Sequence, residues 1–509
     1  MSGAASSSHP GMGAILYPGG TAFRVWAPHA DQVCVVGTFN GWSETANPLI
    51  DEGQGCWSTD VPGARAGDEY KYVIVNGAQE LRRIDPYARD VTSSVGNAII
   101  HDPAFDWDGE GYQTPAWHEM VIYEMHVGTF NDRPGGPPGN LDGVIEKLPY
   151  LRDLGINAVQ VMPPMEFAGG FSWGYNPALI FAIESEYGGS QAFKAFIKAA
   201  HAHGIAVIFD VVYNHLGPSD LDLWQFDGWG EDGKGGIYFY NDWRSHTPWG
   251  DTRPDYGRSE VRGYIRDNVL TWIEAYRIDG LRWDMTAYIR NVYGHDDDPA
   301  HDIPDGWSLM QWINDEIDAR QPWKISIAED LRGNAWMGPA AVMDLKRLIA
   351  AVRGAFAAAA IGLVGGSMGG TGVLIYAGLH PEEVDGVVAY CPATDLVDLV
   401  GFLAANEAEG GAVLAEVRSA IEAHYGPAGH SDTYARHSVL ANHRRLTMPV
   451  AVVHGDRDAM IPVSHARRLR DRMGSRLGYR EIPGGDHDAP LGCVEPLRRL
   501  IDHLHRGRP

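Results

Sequence analysis

The sequence predicts a multidomain chain: an N-terminal β-sandwich, then a partial (β/α)8 barrel, then a second, partial α/β sheet. Three observations predict it. Residues 20–102 alternate apolar and polar side chains in short runs broken by turn signals, the period of half-buried antiparallel strands. From about residue 118 the rhythm changes to short apolar runs separated by helix-like stretches, as in βα units wound on a parallel sheet. After Met337 a second βα rhythm begins in a stretch of different composition. The expected domains are therefore 1–112, 113–337 and 338–509.

In the sandwich the strand signals are TAFRVWAP, QVCVVGTFNGW, GCWSTDV and EYKYVIVNG. Core packing is the expected role of Trp26, Trp42 and Trp57 individually. The barrel segment offers five strands: VIYEMHV (121–127), INAVQVM (156–162), IAVIFD (205–210), IDGLRWD (278–284) and KISIAED (324–330). LDGVIEKLPYLRDLG and SQAFKAFIKAAHAHG are expected helices between them. Five strands cannot close a barrel, so an apolar strand edge is expected to stay open. The last segment offers a helix over about 341–353, then strands IGLVGG, VDGVVAYC, PVAVVHG and GYREIPG.

The chain has 509 residues, 44% apolar and 21% charged, which excludes disordered, collagenous and coiled-coil classes. Its net charge of −25 argues against nucleic acid and anionic membrane as partners. That charge is uneven: residues 338–509 hold 18 basic and 19 acidic residues, the first 337 hold 23 and 47. No tryptophan occurs after Trp336. The four cysteines, Cys34, Cys56, Cys391 and Cys493, form no CxxC spacing, so neither a disulfide framework nor a metal site is expected. No cofactor is implied. Met1 to Ala14 lacks an apolar signal core, and no run of about 18 apolar residues occurs, so a cytoplasmic protein is expected.

In a βα barrel, chemistry gathers where strands end. Three successive strands run into Asp210, Asp284 and Glu329. Arg282, two residues before Asp284, shares its face of the strand, and a cation there favours the ionised carboxylate a nucleophile requires. Glu329 is then the candidate acid/base, since two carboxyls about 5–5.5 Å apart perform retaining glycoside chemistry. One aspartate at a strand end is usually a helix cap; three in order, with Arg282 and His215, point to a site.

DVVYNH (210–215), GLRWDMTAY (280–288) and IAED (327–330) resemble the first three catalytic regions of the α-amylase superfamily, glycoside hydrolase family 13. The resemblance implies Asp284 as nucleophile, Glu329 as acid/base, and Arg282 as the residue keeping the nucleophile charged. It implies Asp210 and Asn214 as structural members of the site, His215 as a sugar-hydroxyl contact, and Tyr175 in WGYNP as the ring under the sugar. VIYEMHVGTF and SEYGG look most like glucan branching enzymes and trehalose-releasing relatives. TFNGW (38–42) and IDPYAR (84–89) resemble the carbohydrate-binding module that precedes such domains. An α-glucan such as glycogen or starch is thus the implied partner of residues 1–337. The family's fourth region, a His-Asp pair, does not follow Glu329 within several tens of residues; His487-Asp488 is the sole plausible pair. Loss of that third carboxylate is expected to weaken transition-state stabilisation severely.

GGSMG (365–369) is a G-x-S-x-G sequence between strand IGLV and helical TGVLIYAGLH, the context of a nucleophile elbow. Ser367 is the candidate nucleophile and the Met368 N–H an oxyanion donor. Asp458, in the loop after PVAVVHG, and His487, after GYREIPGG, complete the order Ser, Asp, His. Asp456 is the other acid of that loop, and His454 reads as a strand-end structural residue. With HGDRDxxIP and GGDH, residues 341–504 resemble the C-terminal half of α/β-hydrolases of the prolyl-oligopeptidase and esterase kind. The implied partner is a small ester or peptide. About four preceding strands and a second oxyanion N–H are absent, and one such donor is worth about 3 kcal/mol of barrier.

These readings join near Met337–Pro339. The expected function is an α-glucan-active, branching-enzyme-like retaining module fused to a serine-hydrolase module, both incomplete. The alternatives are a serine esterase or peptidase acting through Ser367, Asp458 and His487 alone, and a non-catalytic glucan binder resting on the sandwich.

Overall fold

A computed structural model describes residues 6–109, 111–132, 136–217, 221–294, 299–328, 336–356, 360–428 and 432–506. The chain divides into two compact units, Met1–Asp330 and Leu331–Pro509.

The first unit opens with nine strands: β1 (Gly13–Tyr17), β2 (Gly20–Trp26), β3 (Gln32–Gly37), β4 (Ile50–Gly53), β5 (Cys56–Pro62), β6 (Glu69–Asn76), β7 (Gln79–Arg83), β8 (Asp90–Val91) and β9 (Ala98–Ile99). They form two antiparallel sheets, β1-β2-β5-β4 and β3-β6-β9-β8, with β7 added on β6. Phe23, Val35, Tyr70, Tyr72 and Ile74 fill the space between them. The IDPYAR motif has a local explanation here. Buried Asp85 accepts the hydroxyls of Tyr70 at 2.7 Å and Tyr72 at 3.4 Å, and burial pushes its carboxyl up to about 6. Trp26 is buried, and Trp42 packs against Cys34, Val36 and Val73.

Seven more strands follow: β10 (Ile122–Met125), β11 (Ala158–Val161), β12 (Met165–Phe167), β13 (Pro177–Ile183), β14 (Ala206–Val211), β15 (Gly280–Trp283) and β16 (Ile325–Ala328). All five sequence-predicted barrel strands lie side by side in chain order, β10-β11-β14-β15-β16, every pair parallel. Crossover helices Leu141–Leu154 and Gly189–Ala202 form where expected. The first is capped by the Asn140 side chain and stopped by Gly155 at φ 92, a left-handed geometry glycine adopts without strain. The inner strands β11, β14 and β15 are wholly buried, the mark of a parallel sheet covered on both faces. The outer strands β10 and β16 alternate with exposed positions. Among the described residues β16 pairs with β15 alone.

Sandwich and parallel sheet share one hydrophobic core. Tyr87 packs on Phe181 at 4.7 Å and Tyr264 at 5.2 Å. Arg83 donates to the carbonyls of Trp224, Gln225 and Phe226. The hairpin β12–β13 was not legible as such in the sequence; its connection carries WGYNP.

The second unit holds β17 (Gly362–Gly366), β18 (Gly386–Tyr390), β19 (Val450–Gly455) and β20 (Leu477–Ile482), parallel throughout in the order β17-β18-β19-β20. Its core is built from Leu374, Val387, Ala389, Leu399, Val452 and Leu469. Among the described residues the strand leading into GGSMG pairs with β18 alone, and Val364 is 45% exposed. Among the described residues no helix is long and apolar enough to cross a membrane.

Candidate active sites

In the first unit β14 and β15 are neighbours, in register Asp210↔Arg282. The two side chains meet at their strands' C-terminal ends. Arg282 Nη1 lies 2.8 and 3.0 Å from the two oxygens of Asp210 and 2.8 Å from Asp284 Oδ1. Asn214 Nδ2 donates to Asp284 Oδ2 at 2.9 Å and to its carbonyl at the same distance. The Tyr175 hydroxyl donates to Asp210 Oδ2 at 3.0 Å. His215 stacks on Trp249 with ring centroids 4.6 Å apart. The structure thus gathers Tyr175, Asp210, Asn214, Arg282 and Asp284, with His215 adjoining Asn214. Glu329 lies outside the described residues.

One guanidinium serves two buried carboxylates. Burial raises the Asp210 carboxyl to about 8, against the lowering pull of Arg282. Burial pushes His215 down to about 4, which favours the neutral imidazole. Met285 follows at φ 41, a left-handed conformation costly for a non-glycine residue, before helix Thr286–Arg290 begins.

In the second unit the chain turns sharply from β17 into helix Met368–Leu379. Ser367 occupies the turn at φ 53 and ψ −118, with its N–H held by the Tyr390 carbonyl at 2.8 Å. Of the two motif glycines, Gly365 is required by space, since a Cβ there would lie 2.4 Å from the Gly369 backbone, whereas one on Gly369 would meet nothing within 4 Å. His487 Nε2 is 2.9 Å from Ser367 Oγ, and His487 Nδ1 is 2.7 Å from Asp458 Oδ2. Asp458 Oδ1 accepts the N–H groups of Met460 and Ile461 at 2.9 and 2.8 Å. Burial alone would raise Asp458, but hydrogen bonds from His454, His487 and Ile461 outweigh it and hold the carboxyl well below the usual range. Burial lowers His487, and the Asp458 carboxylate more than reverses that, leaving it raised. Met368 is the first residue of its helix, where backbone N–H groups lack an intrahelical acceptor. Asp456 instead accepts the Gly484 N–H at 2.6 Å, tying down the His487 loop.

Two contacts of this triad were not foreseen from the sequence, one by Cys391 and one by His454, which the sequence offered as a strand-end structural residue. Buried Cys391, at the end of β18, donates from Sγ to the His487 carbonyl at 2.9 Å. His454 Nε2 approaches Asp458 Oδ2 at 3.2 Å. The spacing of His454 four residues before Asp458 in HGDRD was the available signal; nothing local marks Cys391.

Fold and sites together define a chain with a carbohydrate-module sandwich, an amylase-like parallel sheet and a further α/β region. Residues 11–88 match the family model for carbohydrate-binding module 48 (isoamylase N-terminal domain) and residues 121–226 that for the alpha-amylase catalytic domain. Residues 256–416 match the model for the alpha/beta hydrolase fold, a match that begins ahead of β15 and so overlaps the amylase-like sheet.

Among particular relatives, the 1,4-alpha-glucan branching enzyme of Pseudoalteromonas atlantica is 33% identical over 335 residues, covering 61% of this chain and 45% of that protein. The malto-oligosyltrehalose trehalohydrolase of Saccharolobus solfataricus is 34% identical over 289 residues, covering 56% and 46%. The chain spans about half the length of these curated relatives. The pullulanase of Paenibacillus barengoltzii, solved with maltohexaose and alpha-cyclodextrin, shares the fold at a TM-score of 0.52 and 24% identity, over 64% of this chain and 53% of that one. The catalytic module of the glycogen-degrading pneumococcal virulence factor SpuA does so at 0.51 and 23%, over 64% and 51%.

Proposed function

We propose that residues 1–337 form an α-glucan-active module of retaining, branching-enzyme-like chemistry. The observation that carries this reading is the buried Arg282 bridge between Asp210 and Asp284 at the ends of adjacent parallel strands. Asp284 attacks the anomeric carbon, Glu329 protonates the leaving oxygen, and water or a second glucan hydroxyl then displaces the carboxylate. Tyr175 stacks under the reacting sugar and neutral His215 contacts a hydroxyl. Similarity to a branching enzyme and a trehalohydrolase supports the substrate class. Slow turnover is expected, because the described residues place five strands in this sheet and the sequence holds no His-Asp pair soon after Glu329. The test is amylose or glycogen turnover by the whole chain against Asp284→Asn; equal background in both rejects the reading.

A second reading is favoured by a separate observation, the 2.9 and 2.7 Å contacts linking Ser367, His487 and Asp458. Here residues 338–509 act as a serine esterase or peptidase. His487 takes the Ser367 proton, Asp458 fixes its tautomer, and the Met368 N–H receives the developing oxyanion. Covalent labelling by a fluorophosphonate, lost in Ser367→Ala, supports it; an unlabelled wild type ends it.

A further inference from the structure

We infer that His454 is a positioning residue of the Ser367 triad, holding Asp458 through the carboxylate oxygen that also receives His487. The inference rests on the serine-hydrolase reading of the second unit. His454 ends β19, is fully buried, and stands four residues before Asp458. Its Nε2 lies 2.8 Å from the Ile461 carbonyl and 3.2 Å from Asp458 Oδ2. A carbonyl can only accept, so Nε2 carries the proton and points it between the two oxygens. The other ring nitrogen, Nδ1, is buried with no hydrogen-bond partner among the described residues. The ring is therefore committed to one side, where Asp458 sits.

Asp458 accepts the N–H groups of Met460 and Ile461 on Oδ1 and His487 on Oδ2, while the His454 N–H, bonded to the Ile461 carbonyl, approaches Oδ2 at 3.2 Å. The His454 N–H dipole draws negative charge away from the oxygen that faces His487. Without it that oxygen presents more negative charge, so His487 holds its proton more tightly, and the carboxylate loses one of the contacts fixing its rotamer. The remaining groups facing the pair are Cys391 after β18, Asp486 and Asp488 beside His487, and His465 from helix Ser464–Met473. A change at His454 leaves all of them in place. A purely structural histidine would need only the Ile461 carbonyl, and its loss would lower stability without touching His487.

The test uses the full chain. His454→Leu removes the donor; His454→Gln keeps an N–H near the Nε2 position. The first readout is the pH dependence of fluorophosphonate labelling. Expected for His454→Leu are an acid limb moved to higher pH and a plateau rate lower by about tenfold, the scale of one lost hydrogen bond to a charged group, with both restored in His454→Gln. The second readout is ¹⁵N-resolved histidine NMR, which needs no turnover. It should show the Nε2–H tautomer for His454 and an upward-shifted His487 titration in the leucine variant only. A folded His454→Leu protein, judged by circular dichroism, in which His487 titrates as in wild type overturns the inference, as does an Nδ1–H tautomer at His454. Failure of wild-type labelling with the NMR shifts intact would reject the hydrolase activity and leave the positioning role standing.

Discussion

Replacing Arg282 with methionine removes the cation that Asp210 and Asp284 share while roughly preserving volume. Both carboxyls are buried, at 0% and 6% exposure, so neither can turn to water for compensation. Breaking a buried pair by removing one partner costs about 3–5 kcal/mol. Burial already raises the Asp210 carboxyl, to about 8 against about 3.9 in an unfolded chain, so the cost counted is one broken pair, Arg282 with Asp284. Sign follows from linkage. Asp210 is raised in both proteins; in the variant Asp284 loses its cation and is raised too, so folding makes it hold a proton that the unfolded chain has released, and the deficit against wild type grows as pH rises and shrinks as pH falls. Each pH unit between 5 and 7 changes it by up to about 1.4 kcal/mol. The assay is urea unfolding followed by tryptophan fluorescence, which reports the first unit because every tryptophan but Trp336 lies there. The expected result is a loss of about 3–5 kcal/mol at pH 7 that falls to about 1–2 at pH 5. A loss below about 1 kcal/mol with no dependence on pH would refute the charge-sharing argument.

Three further outcomes are expected. Asp210→Asn removes a carboxyl whose folded value is raised, so the decline of first-unit stability between pH 5 and pH 8 becomes shallower by up to about 1.4 kcal/mol per pH unit, read from the same unfolding curves. Gly365→Ala drives a Cβ to 2.4 Å from the Gly369 backbone, and displacing the elbow should cut fluorophosphonate labelling more than tenfold while leaving first-unit fluorescence unfolding unchanged. Arg83→Met deprives three carbonyls of the 224–226 segment of their donor; about 2 kcal/mol of first-unit stability should go, and a smaller effect than about 0.5 would mean these three bonds contribute little to holding the sandwich.

Much of this molecule was legible in one sequence. Period-two alternation marked the sandwich because its strands bury one face. Short apolar runs marked all five parallel strands because inner strands are covered on both. Arg282 and Asp284 were readable as neighbours because residues two apart on a strand share a face, and Asp210 because it stands at the end of another strand, which the β14–β15 register brings beside Arg282. Ser367, Asp458 and His487 were readable because a nucleophile elbow needs glycines, and Gly365 has no room for a side chain. What escaped depends on tertiary approach. The β12–β13 hairpin interrupts a βα rhythm and resembles one more apolar run. The fusion of sandwich and sheet into one core rests on Tyr87, Phe181 and Tyr264, which are far apart in sequence. Cys391 reaches the His487 loop across nearly a hundred residues, and no local pattern encodes that contact.

Turnover of amylose by the whole chain, wild type against Asp284→Asn, tests the central claim most directly. The account predicts slow release or transfer of glucan in the wild type and its disappearance in the variant, with the folded state unchanged by circular dichroism. Identical rates in the two proteins would contradict it.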